Sequence, residues 1–253
     1  MPYPAAGELV VVSAVSSQGR PAAGRGARAL IGWIAAVVAV AGCASGSAGR
    51  DALAGQSGKQ ILDNAVSNLK TDPSFTMSGD VIQPSGAFTV DLGYLPARGC
   101  TGTVAQAGKG SFAMTVIGAT AWVRPDNAFW RSIAGRQAPA LISAVGGKYL
   151  KGPASNRNVA GLTSLCDVNT LASQLQMPSA VERAPAKPFA GSLAVPLTDR
   201  AKGGTLYVTD SARPQVIQLR NSKSGKITFH IDAPVTLTPP PPGQTVNGSK
   251  FGL

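Results

Sequence analysis

Three cysteines and one histidine are the residues of this 253-residue chain best suited to covalent or metal chemistry. Cys43, Cys100, Cys166 and His230 lie far apart in sequence, and none stands at the short spacings by which zinc sites collect their ligands. His230 sits between Phe229 and Ile231 in a strand-like run, which reads as an outward-facing strand residue. No Gly-x-Ser-x-Gly, His-Glu-x-x-His or phosphate-cradling Gly-rich loop is present. A paired-carboxylate hydrolase needs two acids at one bond, and beyond Cys43 the ten aspartates and Glu182 are scattered. Trp122, Phe129 and Trp130 could stack on a sugar, although aromatics beside a turn more often serve core or edge packing. The expectation is a non-enzymatic protein with no catalytic residues, no metal ligands and no cofactor.

Cys43 has a different context. It closes the apolar run Leu30 to Gly42, which follows Arg20, Arg25 and Arg28 and is followed by Ala44-Ser45-Gly46-Ser47. About a dozen apolar residues suit a secretory signal and are too few for a comfortable membrane span. The four residues Val40-Ala41-Gly42-Cys43 resemble a bacterial lipobox, in which the cysteine is acylated and becomes the new N-terminus after cleavage. That resemblance implies a signal peptide over 1–42, lipidation at Cys43 and a position at the cell membrane, anchored on its extracytoplasmic face. The alternative is an uncleaved signal anchor with a free or buried cysteine. The 29 residues before Leu30 make a long n-region without a second Met, which points to a true start further downstream.

From Cys43 onward, 211 residues remain, enough for one domain with a real core. Residues 43–58 read as a flexible tether, 59–238 as the domain and the Pro-rich 239–253 as a disordered tail. Three of the 23 basic and one of the 12 acidic residues precede Cys43, leaving a formal net charge of +9. Such a charge suits anionic headgroups or cell-wall polymers. The basic residues stand singly, without interleaved aromatics, so no nucleic acid is expected as a partner, and a monomer is. In an extracytoplasmic setting Cys100 and Cys166 read most simply as one disulfide, against the alternative of two buried thiols. It would close a loop of about 65 residues and stabilise by roughly 4 kcal/mol in the chain-entropy model.

Periodicity supplies the elements that position these residues. Ser57 to Thr71 carries Ile61, Leu62, Ala65, Val66 and Leu69 on one helical face, with Ser57 and Gln60 spaced as a capping box and Pro73 as the stop. Period-two runs follow at Phe75 to Gly79, Gly86 to Leu95, Thr101 to Ala105, Phe112 to Val116 and Ala119 to Arg124. Pro125 to Trp130 reads as a turn, and Gln137 to Tyr149 and Thr163 to Gln176 as helices. Strands return at Phe189 to Leu197, Thr205 to Thr209, Gln215 to Arg220 and Lys226 to Asp232. Helix, strands, helical insertion and strands in this order argue for an α+β fold.

Several of these runs together resemble actinobacterial cell-envelope lipoproteins of the LppX/LprG kind, which share a fold with the LolA/LolB carriers. They are the lipobox, Ile61-Leu62-Asp63-Asn64-Ala65, Ala119-Thr120-Ala121-Trp122-Val123 followed by Phe129-Trp130, and Gly203-Gly204-Thr205-Leu206-Tyr207-Val208. The resemblance implies a strongly curved antiparallel sheet, a half-open barrel with helices on its concave face, and an apolar cavity for lipid binding or transfer. The ligand would be a lipid or lipoglycan, and the candidate lining is Phe88, Val90, Leu92, Phe112, Met114, Val116, Ile227, Phe229 and Ile231. The same rows would equally fill an ordinary sheet–helix core. Cys100 and Cys166 depart from the family pattern. The competing function is a structural or protein-interaction module at the cell envelope.

Overall fold

The computed structural model describes residues 51–251, except Pro178, Ser179 and Lys202. The signal segment, Cys43 and the tether as far as Arg50 lie outside the described residues.

The chain enters through a turn over Asp51 to Gly55, and Leu53 is fully buried there. The fold therefore begins inside the segment expected to be a tether, because Leu53 has core to fill. Helix α1 (Gly58–Thr71) follows, with the expected capping box: Gln60 N–H donates to Ser57 Oγ, and Ser57 N–H donates to Gln60 Oε1. Ile61, Leu62, Ala65, Val66 and Leu69 are all buried, so the apolar face of α1 packs on its own domain.

Five strands come next: β1 (Phe75–Gln83), β2 (Gly86–Leu95), β3 (Gly99–Gln106), β4 (Gly110–Ile117) and β5 (Thr120–Pro125), each antiparallel to the one before. The expected turn at Pro125 to Trp130 is instead the start of α2 (Asn127–Ala134), because Asp126 caps it by accepting from Phe129 N–H. The expected helix to Tyr149 is shorter. It forms α3 (Ala138–Val145), ends at Gly146 and Gly147, whose φ values are 58° and 69°, and gives way to β6 (Tyr149–Pro153). The expected helix Thr163 to Gln176 is divided into α4 (Ala160–Thr163), a 3-10 turn Ser164–Cys166 and α5 (Val168–Leu175). Asp167 makes the break: its backbone is extended and its carboxylate caps α5 through Asn169 N–H.

The remaining strands are β7 (Val181–Arg183), β8 (Lys187–Phe189), β9 (Ser192–Asp199), β10 (Gly204–Thr209), β11 (Val216–Asn221), β12 (Gly225–Ile231) and β13 (Thr245–Asn247). The expected strand Phe189 to Leu197 is thus a hairpin of β8 and β9, turning at Ala190 and Gly191. The proline run Pro239 to Pro242 does not end the fold. Beyond it β13 pairs in parallel with β6, setting Val246 opposite Leu150, and Phe251 packs with Trp130, Ala138, Val145 and Leu150. Two apolar side chains that cover this second cluster hold the expected tail in place.

One curved, unclosed sheet results, in the order β13-β6-β5-β4-β3-β2-β1-β12-β11-β10-β9-β7, with β8 paired to β9. All pairings are antiparallel except that of β13 with β6. The early and late strand groups join where β12 pairs with β1, Phe75 opposite Ile231 through Val81 opposite Gly225. Helices α1 and α5 pack together, α1 reaches β7, β10 and β11, and the Ser164–Cys166 turn reaches β3. The fold class is α+β.

Close strand approach depends on glycine at Gly102. Its φ is 152°, and a Cβ there would lie 2.0 Å from the Asp91 carbonyl oxygen. Gly102→Ala is expected to destabilise by about 1–3 kcal/mol through backbone strain, and Leu92→Ala, at a fully buried site, by about 2–5 kcal/mol. Urea unfolding followed by circular dichroism measures both.

Candidate apolar binding face

Register determines which side chains share a face. Residues directly opposite one another project to the same side, so Tyr94, Leu92, Val90 and Phe88 of β2 stand with Phe75, Met77, Gly79 and Val81 of β1. The row continues to Cys100, Gly102 and Val104 of β3, then to Val116, Met114 and Phe112 of β4. In the other direction Ile231, Phe229 and Ile227 of β12 lie opposite Phe75, Met77 and Gly79, and Leu219, Leu206 and Leu197 carry the row across β11, β10 and β9. All nine residues of the candidate lining therefore lie on one face, the face that carries the helices, and all join the main apolar cluster. Which strands pair has no signal in the sequence, but the alternation along each strand does: Leu206 and Val208 alternate with Thr205 and Tyr207, and both are fully buried.

Burial across this face is uneven, with Ile231 half-buried opposite Phe75 and Phe112 buried near Phe88. Phe75, Leu92 and Tyr94 are fully buried, and Met114 nearly so, whereas Phe88, Leu219 and Ile227, toward the β1–β2 and β11–β12 turns, are only half-buried. Phe129 of α2 is half-buried as well and meets Phe112 edge-on, with ring centroids 5.4 Å apart. The interior end is anchored by Phe75 stacked on Tyr94 at 4.5 Å, and Tyr94 Oη donates to the Leu165 carbonyl at 2.7 Å. Burial raises the Tyr94 pKa well above the ordinary phenol value, so the hydroxyl stays protonated as that donor.

Opposite chemistry covers the outer face. Thr101 and Thr115 hydroxyls lie 2.8 Å apart, Lys151 stands over the Trp122 ring, and Arg124 over Tyr149. Phe189 stacks on Tyr207 at 3.8 Å, with Arg220 and Lys187 against them. Trp122, Phe129 and Trp130, the aromatics considered for sugar stacking, thus do not form one platform: Trp122 faces outward, and the other two belong to α2. His230 is exposed on β12, as expected of an outward strand residue.

Cys100 and Cys166 form the disulfide, tying β3 to the turn before α5. An open cavity of about 360 Å³ adjoins it, bounded by the β2–β3 turn, the β4–β5 turn and the segment from Ala154 to Asp167. A second, of about 710 Å³, lies on the outer side between Trp122, Lys151 and the Pro239–Pro242 run. Of the candidate lining only Val116 borders either one. Among the described residues no group of three or more His, Cys, Asp or Glu could hold a metal ion, and no helix is long and apolar enough to cross a membrane.

Charged groups fasten the ends of α1. Arg183 binds Asp51, and Leu53 N–H donates to both Asp51 and Asp210. At the other end Asp72, almost fully buried, accepts from Arg213 Nη2 at 2.6 Å. Burial raises the Asp72 pKa above the ordinary 3.8, opposed by the Arg213 charge. These contacts had no periodic signal; the proximity of Asp72 to Arg213 comes only from folding.

No family model and no curated protein matches the chain. Among solved structures it is similar to LprF from Mycobacterium bovis, with 15% identity and a TM-score of 0.48, covering 72% of this chain and 96% of that one. It is also similar to an uncharacterized conserved protein from Thermus thermophilus, with 12% identity and a TM-score of 0.37, covering 76% and 99%.

Two outcomes are expected. Thiol labelling of unreduced, denatured protein beginning at Asp51 gives no labelled cysteine, and two after reduction. Arg213→Ala leaves the Asp72 carboxylate buried without its partner, costing about 1–3 kcal/mol at pH 7. A raised folded-state pKa means that this cost is present at neutral pH and fades as pH falls through the folded value toward 3.8. The stability gap between variant and parent should therefore narrow in acid, as urea titrations from pH 7 to pH 4 would reveal.

Proposed function

We propose that this protein is a lipid-anchored lipoprotein on the extracytoplasmic face of the cell membrane, and that it binds or transfers lipids on the inner face of its sheet without catalysing a reaction. One observation carries the lipid reading: the apolar face runs unbroken from β9 to β4, fully buried at Phe75, Leu92 and Tyr94 and half-exposed at Phe88, Leu219 and Ile227. A face only partly covered at Phe88 would let an acyl chain enter there and displace side-chain contacts further in. Burial of its methylenes is worth about 0.8 kcal/mol each, so a handful suffices to offset modest rearrangement of the core. Such a site needs no metal and no cofactor.

The lipobox carries the location. Acylation at Cys43 would hold the domain at the membrane, and the disulfide suits an oxidising compartment. The domain would act as a monomer.

Full-length protein should partition into the detergent phase on Triton X-114 separation, and Cys43→Ser should move it to the aqueous phase; an unchanged partition would remove the lipid anchor from the reading. Native mass spectrometry of the chain from Asp51, which holds both apolar clusters, should show co-purified lipid. Val90→Trp, which fills the inner face, and Phe88→Glu, which charges its margin, should each lower lipid occupancy at least tenfold. A domain that carries no lipid and takes up none from mixed vesicles would leave the interaction module in its place.

A further inference from the structure

The disulfide separates two sulfurs of unequal access. Cys100, in β3, is fully buried, whereas Cys166 keeps 9% of its surface and borders the 360 Å³ cavity that Cys100 does not. Arg98, Gly99 and Gly118 form one wall of that cavity and Ser164 and Asp167 the other. Asp167 is committed to capping α5, accepting from Asn169 N–H and Thr170 Oγ1, while Arg98 is exposed and adds a positive charge to the entrance. A thiolate entering the cavity thus reaches Cys166 before Cys100.

We infer that the cavity is a thiol-exchange site, at which an extracytoplasmic dithiol attacks Cys166 and releases the segment Ala154–Met177 from the sheet. In the first step the incoming thiolate bonds to Cys166 Sγ, the Cys166–Cys100 bond breaks, and Cys100 leaves as a thiolate that takes a proton from water. In the second step the other thiol of the dithiol, deprotonated, attacks the sulfur of its partner, so that Cys166 leaves as a thiolate and is protonated. The dithiol is oxidised to a disulfide and its two electrons pass to the protein. Direction of attack follows from access: Cys166 takes the mixed disulfide and Cys100 is the leaving group.

Release acts on the helical segment because the bridge is its covalent tie to β3. Beside it Tyr94 Oη holds the Leu165 carbonyl, and Val159, Val168, Ala172 and Leu175 pack into the core. These non-covalent contacts keep the segment folded after reduction while allowing it to open more often. The consequence for ligand entry, unlike the exchange chemistry, rests on the acyl-binding reading: a segment that opens would admit an acyl chain to the inner face faster.

Three readouts on full-length protein as isolated test this. Incubation with reduced glutathione and iodoacetamide, followed by peptide mass spectrometry, should place glutathione on Cys166 and the alkyl group on Cys100. The reverse pattern, an even split or no exchange in the folded state would overturn the assignment. After dithiothreitol, amide hydrogen exchange over residues 159–172 should quicken at least tenfold while β1 to β4 stay protected; no change, or loss of protection everywhere, would overturn the release step. Association of a fluorescent fatty acid should then quicken severalfold and slow again on reoxidation. A probe that binds at the same rate in both states sinks the gating consequence alone, and one that binds in neither sinks the acyl reading while leaving the exchange site intact.

Discussion

Everything in this domain depends on one antiparallel pairing, that of β1 with β12. It joins residues about 150 positions apart, Phe75 to Ile231 through Val81 to Gly225, and so makes a single sheet out of two strand groups that would otherwise each have two open edges. Pairing at such separation must repay a large loop-closure entropy before it stabilises anything. Phe75 helps to repay it, since its ring stacks on Tyr94 of β2 and also meets Phe229 of β12, with centroids 6.3 Å apart. Gly79, with φ at 148° and the Lys226 carbonyl oxygen 2.0 Å from where a Cβ would sit, lets the two strands approach. The apolar face exists as one surface only because this seam is closed.

The second constraint acts through polarity. Because side chains alternate across a strand, an apolar row inside forces a polar row outside, and the outer row here is rich in threonine and in cations lying over aromatic rings. Arg124, Lys151, Lys187 and Arg220 are held against rings on that side, where methylene stems cover apolar surface and the charged ends stay wet. These four cations are therefore held singly on the outer side, each against a ring.

Legibility followed the range of the interactions. Helix α1 could be read completely, since its cap, its apolar stripe and its proline stop all lie within 17 residues. Strands β2, β4 and β12 were equally plain from period two, which also shows which of their residues share a face. The two middle helices were read as longer than they are because apolar spacing persists through Gly146 and through Asp167, where backbone conformation and capping stop the helix. The chain beyond Pro242 was hidden for another reason: Val246 and Phe251 look like isolated apolar residues until β6 and Trp130 supply their partners. Which strand neighbours which, and the contact of Asp72 with Arg213, had no local signal at all.

The same distinction bears on function. Nothing in the periodicity of Phe88, Val90 and Leu92 separates a wall of a binding space from a filled core, and the structure packs these rows against one another and against α1 and α5. Phe88, Leu219 and Ile227 stand half in water toward the β1–β2 and β11–β12 turns, where a core meant only for stability gains nothing from leaving them. Each would add on the order of 1 kcal/mol if covered, and the fold has the means to cover them, as Phe129 does for Phe112.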